Sequence, residues 1–407
     1  VFEGGDAARP IDAYFEAMSG FTTTGSSIMS DIESHTRAIL FWRGLTQWLG
    51  GMGIIVLALA ILPRLSVGGR QLMENESPGP EFDKLAPRIR DTAKRLWLLY
   101  VGFSVLQVAF LLLGNVLGLA PGMDLYMSVA HTFTTMATGG FSPSARSLET
   151  FGAWSQWVCI VFMAIAGANF GLWYRAIFRS PRWLRRDEEL RWYVVIMLVA
   201  SGLIAVDLFI AGLYDVHDTI RHSLFQVVTN MTTTGYASVD YIQWKLPLSF
   251  LVLVGVMLVG GCAGSTGGAI KVVRWLVVWR ACRRELVTST HPERVVPLRV
   301  SGLTVEEQAV RASLAFTVLY LLILALGVVV LLLDAAARGL DLSAFDAIAA
   351  SATTIGNVGP GLGFAGPMGS FAPFSDLSTA TMVVLMWLGR LELLPVLVLA
   401  TRGYWRR

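Results

Sequence analysis

Residues 96–120 read LWLLYVGFSVLQVAFLLLGNVLGLA and contain no charged side chain. A helix of about 20 apolar residues crosses the hydrocarbon core of a bilayer, so this run reads as a membrane span. The same pattern recurs along the chain. Runs 151–174, 246–270 and 312–333 are also uncharged, and 44–62 reads GLTQWLGGMGIIVLALAIL. Two further runs are interrupted by charge, by Asp207 within 192–214 and by Arg390 and Glu392 within 378–400. Seven spans follow. The composition agrees, with 54% hydrophobic and 15% charged residues among 407 and a mean hydropathy of +0.59. The expected fold is an all-α polytopic membrane protein.

Lysine and arginine set the expected orientation. Connections 63–95, 175–191 and 271–311 hold seven, six and eight of them. The intervening connections hold Arg146 alone, Arg221 with Lys245, and Arg338 alone. Basic connections stay cytoplasmic, so they and the tail RGYWRR are placed inside. The net charge of +3 is this bias, and nothing in it suggests nucleic acid. Cys159, Cys262 and Cys282 show neither zinc spacing nor a disulfide framework. The chain opens on VFEGGDAARPIDAYFEAMSG, which reads as the middle of a repeat, so further residues are expected upstream.

On the outer side, a knot of threonine and glycine recurs four times. It reads FTTTGSS at 21–27, TTMATGGFS at 134–142, MTTTGYAS at 231–238 and, more loosely, IGNVGPGLG at 355–363. IDAYFEAMSGFTTTG (11–25) aligns without gaps on FDAIAASATTIGNVG (345–359), Asp12 over Asp346 and Gly25 over Gly359. In the other two copies the opening acid is Asp124 or Asp218. Carboxylates suit a helix N-terminus, so each copy reads as a short helix from the acid to the threonines. Such a helix is too short to cross the membrane and must dip in and return. Irregular backbone at that depth must be buried in protein or line a watery cavity. Four C-terminal, partially negative helix ends would then converge, which suits a dehydrated cation.

The unit of outer helix, pore helix, filter loop and inner helix resembles the Trk/Ktr/HKT superfamily of potassium transporters, the bacterial Trk branch above all. The resembling segments are FEAMSGFTTTGSS, QWLGGMGIIVLALAILP, ATGGFS, TTTGYASVD, GGCAGSTGGAIKVVR, TTIGNVGPGLG and WLGRLELLPVL. They cover nearly the whole chain, as repeats 1–65, 90–185, 190–285 and 305–407, the first without its outer helix. The resemblance implies a filter of backbone carbonyls from Thr23, Thr24 and Gly25; Thr138, Gly139 and Gly140; Thr233, Thr234 and Gly235; and Asn357, Val358 and Gly359. With glycine at the last position of all four, the resemblance implies K⁺ as the ion at the filter; the residues alone show a ring suited to a monovalent cation, and no bound cofactor is expected. The resemblance also implies a homodimer in the cell membrane and a cytosolic nucleotide-binding regulatory subunit; the basic connections are either its docking faces or positive-inside bias alone.

Two anomalies lie below the knots. GGCAGSTGG, 260–268, puts five glycines in nine residues, at about 1 kcal/mol each against a helix. It is either a glycine-rich packing face or a break that lines a cavity. The resemblance implies a loop that blocks the pore, carried by Gly260, Gly261, Gly264, Ser265, Thr266, Gly267 and Gly268. Arg390 is a guanidinium inside an apolar run, where a charge costs at least about 2.5 kcal/mol. Local pairing with Glu392 would explain it; the resemblance implies a pore-facing gate residue instead. Asp207 reads as a polar residue near the outer face. GLGFAG (361–366) matches a dinucleotide-binding pattern but lacks the strand–helix context, and no nucleophile–base pair with supporting context is present, so no enzyme is expected. The rival is a symporter coupling K⁺ to Na⁺ or H⁺, which would place ionisable residues at the site. The knots contain none.

Overall fold

The computed structural model describes residues 9–65, 85–294 and 296–399. Most of the basic connection 63–95 and the basic tail lie outside these residues. Fifteen helices, numbered here in chain order, make up about two thirds of the described residues. The departure from all-α is one hairpin, β1 (Arg299–Val300) paired antiparallel with β2 (Leu303–Thr304). Its turn residues Ser301 and Gly302 both have positive φ, 51° and 81°, which suits a tight hairpin.

Four short helices carry the threonine–glycine knots at their C-termini: α1 (Pro10–Phe21), α4 (Leu125–Met136), α9 (Val216–Met231) and α13 (Ala344–Gly356). They hold 12, 12, 16 and 13 residues. At about 1.5 Å per residue they reach roughly 18–24 Å, short of the ~30 Å hydrocarbon core. Of the four acids expected to open them, Asp124 caps its helix by accepting the Met127 N–H at 2.8 Å. Asp12, Asp218 and Asp346 instead sit third in the first turn. Asp215 and Ser343 are the caps of α9 and α13, because those residues, not the later acids, hold extended backbone before the first turn.

Each short helix packs against a following inner helix, and the pairs close on themselves. α1 packs on α2 (Arg37–Leu65), α2 on α4, α4 on α5 (Ala153–Ala166), α5 on α9 and α9 on α10 (Pro247–Val259). α10 packs on α13, α13 on α14 (Asp376–Arg390), and α14 returns to α1. Outside this ring stand α3 (Leu85–Val116), α8 (Glu188–Ala211) and α12 (Glu307–Arg338). In each of these three, only 28% of the most apolar window is buried. The remainder presents side chains such as Leu98, Val105, Ile210, Leu322 and Leu333 outward, as a lipid-facing wall does.

The seven expected spans are not seven plain helices. Runs 96–120, 192–214 and 312–333 fall in the three long helices. Run 151–174 is broken: α5 ends at Ala166, α6 (Phe170–Phe178) begins after three intervening residues, and the axes differ by 97°. The physical reason lies in Gly167-Ala168-Asn169. Gly167 ends the first helix, and Asn169 starts the next by accepting the Leu172 N–H at 3.2 Å. Run 246–270 stops being helical at Val259, and α11 (Val272–Thr290) resumes beyond a loop. α14 ends at Arg390 before a short α15 (Leu394–Leu399). Asp207, on α8, accepts the N–H and hydroxyl of Ser249 at 3.0 and 2.7 Å. It caps α10 from a neighbouring helix, which explains a carboxylate in an apolar run.

Candidate functional site

All four short helices end through the same hydrogen-bonded closure. The N–H groups of Thr24, Gly139, Thr234 and Val358 bond back to the carbonyls of Ser19, Thr134, Thr229 and Thr353 at 2.9, 2.8, 2.8 and 2.9 Å. The preceding residues, Thr23, Thr138, Thr233 and Asn357, are left-handed, with φ of 53°, 52°, 61° and 54°. Glycine or asparagine usually fills that position. Threonine there is strained by roughly 1–3 kcal/mol, so the surroundings must hold it. Two residues on, Gly25, Gly140, Gly235 and Gly359 take φ of 84°, 78°, 81° and 117°.

These glycines close a ring. A methyl placed on Gly25 would fall 2.0 Å from the Gly139 carbonyl oxygen, one on Gly140 would fall 1.9 Å from that of Thr234, and one on Gly235 2.0 Å from that of Val358. The ring closes with Gly359, whose added methyl would lie 3.1 Å from the Thr24 carbonyl oxygen. Each oxygen belongs to the residue just before the next loop's glycine. The cyclic order is therefore first loop, second, third, fourth and back to first. At the first three, only glycine fits, because the side-chain position is already filled by a neighbour's carbonyl; at Gly359 the approach is looser. The twelve residues singled out in sequence lie together here, and the described loops contain no carboxylate or amine.

Side chains brace the ring. Asn357 donates to the Thr24 hydroxyl at 2.9 Å and to the Met386 carbonyl at 3.0 Å. Ser26 donates to the Gly359 carbonyl at 2.7 Å. Gln47, on α2, donates to the Gly139 carbonyl at 2.7 Å and accepts the Phe141 N–H at 3.1 Å. The Tyr236 hydroxyl reaches Thr134 and the His131 carbonyl of the second copy. Nine residues before the glycine, three copies carry a buried polar side chain that holds a serine leaving the loop. These are Glu16 to Ser27 at 3.1 Å, His131 to Ser142 at 3.0 Å and Gln226 to Ser238 at 3.3 Å. Glu16 also pairs with Arg43 at 2.5 Å, both almost fully buried, and Arg43 stacks 4.0 Å from the centre of the Phe141 ring. Sequence reading missed these braces; their constant offset from the glycine was the available signal.

The segment 260–271 is a non-helical loop, and its two halves do different things. Gly260 ends α10 with φ 77°. Cys262 N–H bonds the Gly167 carbonyl at 2.8 Å, the Phe170 N–H bonds that of Gly264 at 3.1 Å, and Ser265 bonds back to Cys262 at 2.7 Å. Thus Gly261, Gly264 and Ser265 lie in the half that grips the break between α5 and α6. Thr266, Gly267 and Gly268 lie against the ends of the short helices. Thr266 donates to the Met136 carbonyl at 3.1 Å, and Gly268 N–H donates to the Thr233 hydroxyl at 2.7 Å. A methyl on Gly268 would fall 2.1 Å from the Gly356 carbonyl oxygen. Lys271, unnoticed in the sequence, hydrogen-bonds the Gly267 carbonyl.

Arg390 is 6% exposed. Its Nη1 donates to the Thr266 carbonyl at 2.8 Å, while its Nε and Nη2 have no hydrogen-bond partner among the described residues. Local pairing with Glu392 is not what the structure shows. Glu392 binds Arg274 at 2.6 Å, and Arg274 lies 3.9 Å from the centre of the Phe316 ring. Arg390 is thus a buried guanidinium with no carboxylate bound to it, tied to the loop.

Fold and site together define a polytopic helical membrane protein built around four converging half-length helices. Residues 5–405 match the family described as TrkH, cation transport protein, and the chain belongs to that family. It is 37% identical to the Trk system potassium uptake protein TrkH of Halomonas elongata, across 100% of this chain and 82% of that protein. With the protein of the same name from Escherichia coli K12 it shares 38% identity, covering 97% and 79% of the two chains. The crystal structure of the potassium transporter TrkH from Vibrio parahaemolyticus superposes with a TM-score of 0.84 at 32% identity, covering 97% of this chain and 79% of that one.

Proposed function

We propose that this protein takes up K⁺ across the cell membrane, passively, through a filter lined by backbone carbonyls of the four loops. The filter residues are Thr23, Thr24 and Gly25; Thr138, Gly139 and Gly140; Thr233, Thr234 and Gly235; and Asn357, Val358 and Gly359. The observation that carries this reading is the cyclic contact of each ring glycine with the next loop's carbonyl. It concentrates oxygen dipoles and four partially negative helix ends around one axis, where a cation can exchange its water for carbonyl oxygens. K⁺ is the ion named in the relatives' titles. In this reading the loop 260–268 obstructs the path beneath the filter and Arg390 adds an electrostatic barrier. A guanidinium without a bound counter-carboxylate repels cations, and its bond to Thr266 couples that barrier to the loop.

The filter is assigned to the outer side and the basic connections to the cytoplasm. A second copy of the chain and a cytosolic nucleotide-binding subunit are the assigned partners. A cleft of about 580 Å³ in the third basic connection is lined by Arg283, Arg294 and Arg299, by Arg280 paired with Glu188 and by Arg284 paired with Glu307, and is the basic face proposed for docking. The test of transport is the reversal potential of the protein in liposomes, with K⁺, Na⁺ and pH varied separately. Passive conduction gives a potential that follows the K⁺ gradient alone. A potential that tracks Na⁺ or H⁺ in fixed proportion establishes symport instead.

A further inference from the structure

Glu189, the second residue of α8, is 8% exposed. One of its oxygens, Oε1, accepts the Ala263 N–H at 2.7 Å and the Val273 N–H at 3.1 Å. Ala263 lies in the half of the intramembrane loop that grips α5 and α6; Val273 is in the first turn of α11. A single carboxylate oxygen therefore clips together the two ends of the segment that carries Thr266, Gly267 and Gly268. A backbone bond from the Val272 N–H to the Gly261 carbonyl, 3.0 Å, crosses the same neck.

We propose that Glu189 is a latch: a positioning residue that holds the loop in its obstructing place by accepting both amides at the loop's neck. The proposal rests on the gate reading of the loop. Its physical basis is accounting of backbone donors. Breaking the helix at Gly260 frees N–H groups at membrane depth, and each needs an acceptor inside the protein. Without Glu189, two buried amides lose their partner and the loop loses its tie to α8.

The charged neighbours are engaged elsewhere. Lys271 binds the Gly267 carbonyl, Arg274 binds Glu392, and Arg280 binds Glu188. Among the described residues Glu189 has no hydrogen-bonded cation, and its contribution is that of an acceptor oxygen. Glutamine, which keeps that oxygen, should replace it. Glu188 also accepts the Ser301 N–H at 2.9 Å, so the start of α8, the hairpin and α11 form one block at the cytoplasmic mouth, next to the latch.

Cys262 is the built-in reporter, one residue from Ala263 and 1% exposed. The experiment is peptide-resolved mass spectrometry of thiol labelling, with a charged methanethiosulfonate, on the full chain in liposomes, alongside K⁺ flux. Glu189→Ala is expected to raise Cys262 labelling about tenfold, the change that ~1.4 kcal/mol of lost loop stabilisation gives, and to raise flux. Glu189→Gln is expected to stay within about twofold of the native protein, a ratio worth only ~0.4 kcal/mol. If Glu189→Ala does not fold, Glu189→Asp withdraws the oxygen by ~1.5 Å and should raise labelling. Cys262 as protected in Ala or Asp variants as in the native protein overturns the latch, as does Gln behaving like Ala. Increased labelling with unchanged flux upholds the latch and removes the gate reading, and flux through Arg390→Ala, measured in parallel, tests that reading on its own.

Discussion

Arg390 and Thr266, 124 residues apart, are joined by a 2.8 Å hydrogen bond from guanidinium to backbone carbonyl. The bond ties the end of an inner helix to a loop from another repeat. Glu392 lies two residues from Arg390, yet its carboxylate goes to Arg274. The guanidinium of Arg390 is thus left without that carboxylate.

Replacing Arg390 with alanine should therefore increase K⁺ flux in liposomes. Removing a barrier of about 1.4 kcal/mol would give about tenfold. Flux equal to that of the native protein, in a variant that elutes and melts normally, would count against the electrostatic gate.

Gly268→Ala should act by displacement. The added methyl would fall 2.1 Å from the Gly356 carbonyl oxygen, so the loop must move away from the ends of the short helices. Increased leak is expected, as it is on shortening 260–268. A leak no greater than native in either variant would mean that the loop is packing material.

The four ring glycines should not be equivalent. An added methyl meets a carbonyl oxygen at 1.9 to 2.0 Å on Gly25, Gly140 and Gly235, but at 3.1 Å on Gly359. Alanine at the first three should abolish K⁺ flux or its preference over Na⁺. At Gly359 the remaining cost is backbone strain at φ 117°, and partial flux should survive. Comparing K⁺ and Na⁺ flux across the four variants checks this order; a set in which Gly359→Ala is the most damaged contradicts the steric ring.

Glu16 and Arg43 predict a stability effect. Removing one partner of a buried ion pair typically costs about 3–5 kcal/mol, whereas replacing both with apolar groups is often neutral. Glu16→Ala should lower the melting temperature in detergent clearly, and Glu16→Ala with Arg43→Met should recover much of the loss. Additive losses in the double variant would show that the two side chains act independently.

What the sequence reveals here follows from the range of the physics involved. Long uncharged runs announce helices in lipid because the bilayer tolerates little else, so the membrane class and the three long helices were legible. The threonine–glycine knots were legible as a pattern because each loop needs the same unusual backbone angles at Thr23, Thr138, Thr233 and Asn357. The break at Gly167–Asn169 was hidden in an apolar run, although a helix-ending glycine followed by a capping asparagine marked it. Glu16 is marked in the sequence only by its offset from Gly25, and the braces from Gln47 and Glu189 by nothing. Each bonds a partner 11 to 92 residues away, and only the fold makes them neighbours.

Crystals of the protein soaked in Rb⁺ or Tl⁺ offer the most direct view of the central claim, through anomalous scattering. The account predicts density on the axis encircled by Gly25, Gly140, Gly235 and Gly359, within coordination distance of loop carbonyls. Heavy-ion density confined to carboxylate sites, with none on that axis, would contradict it.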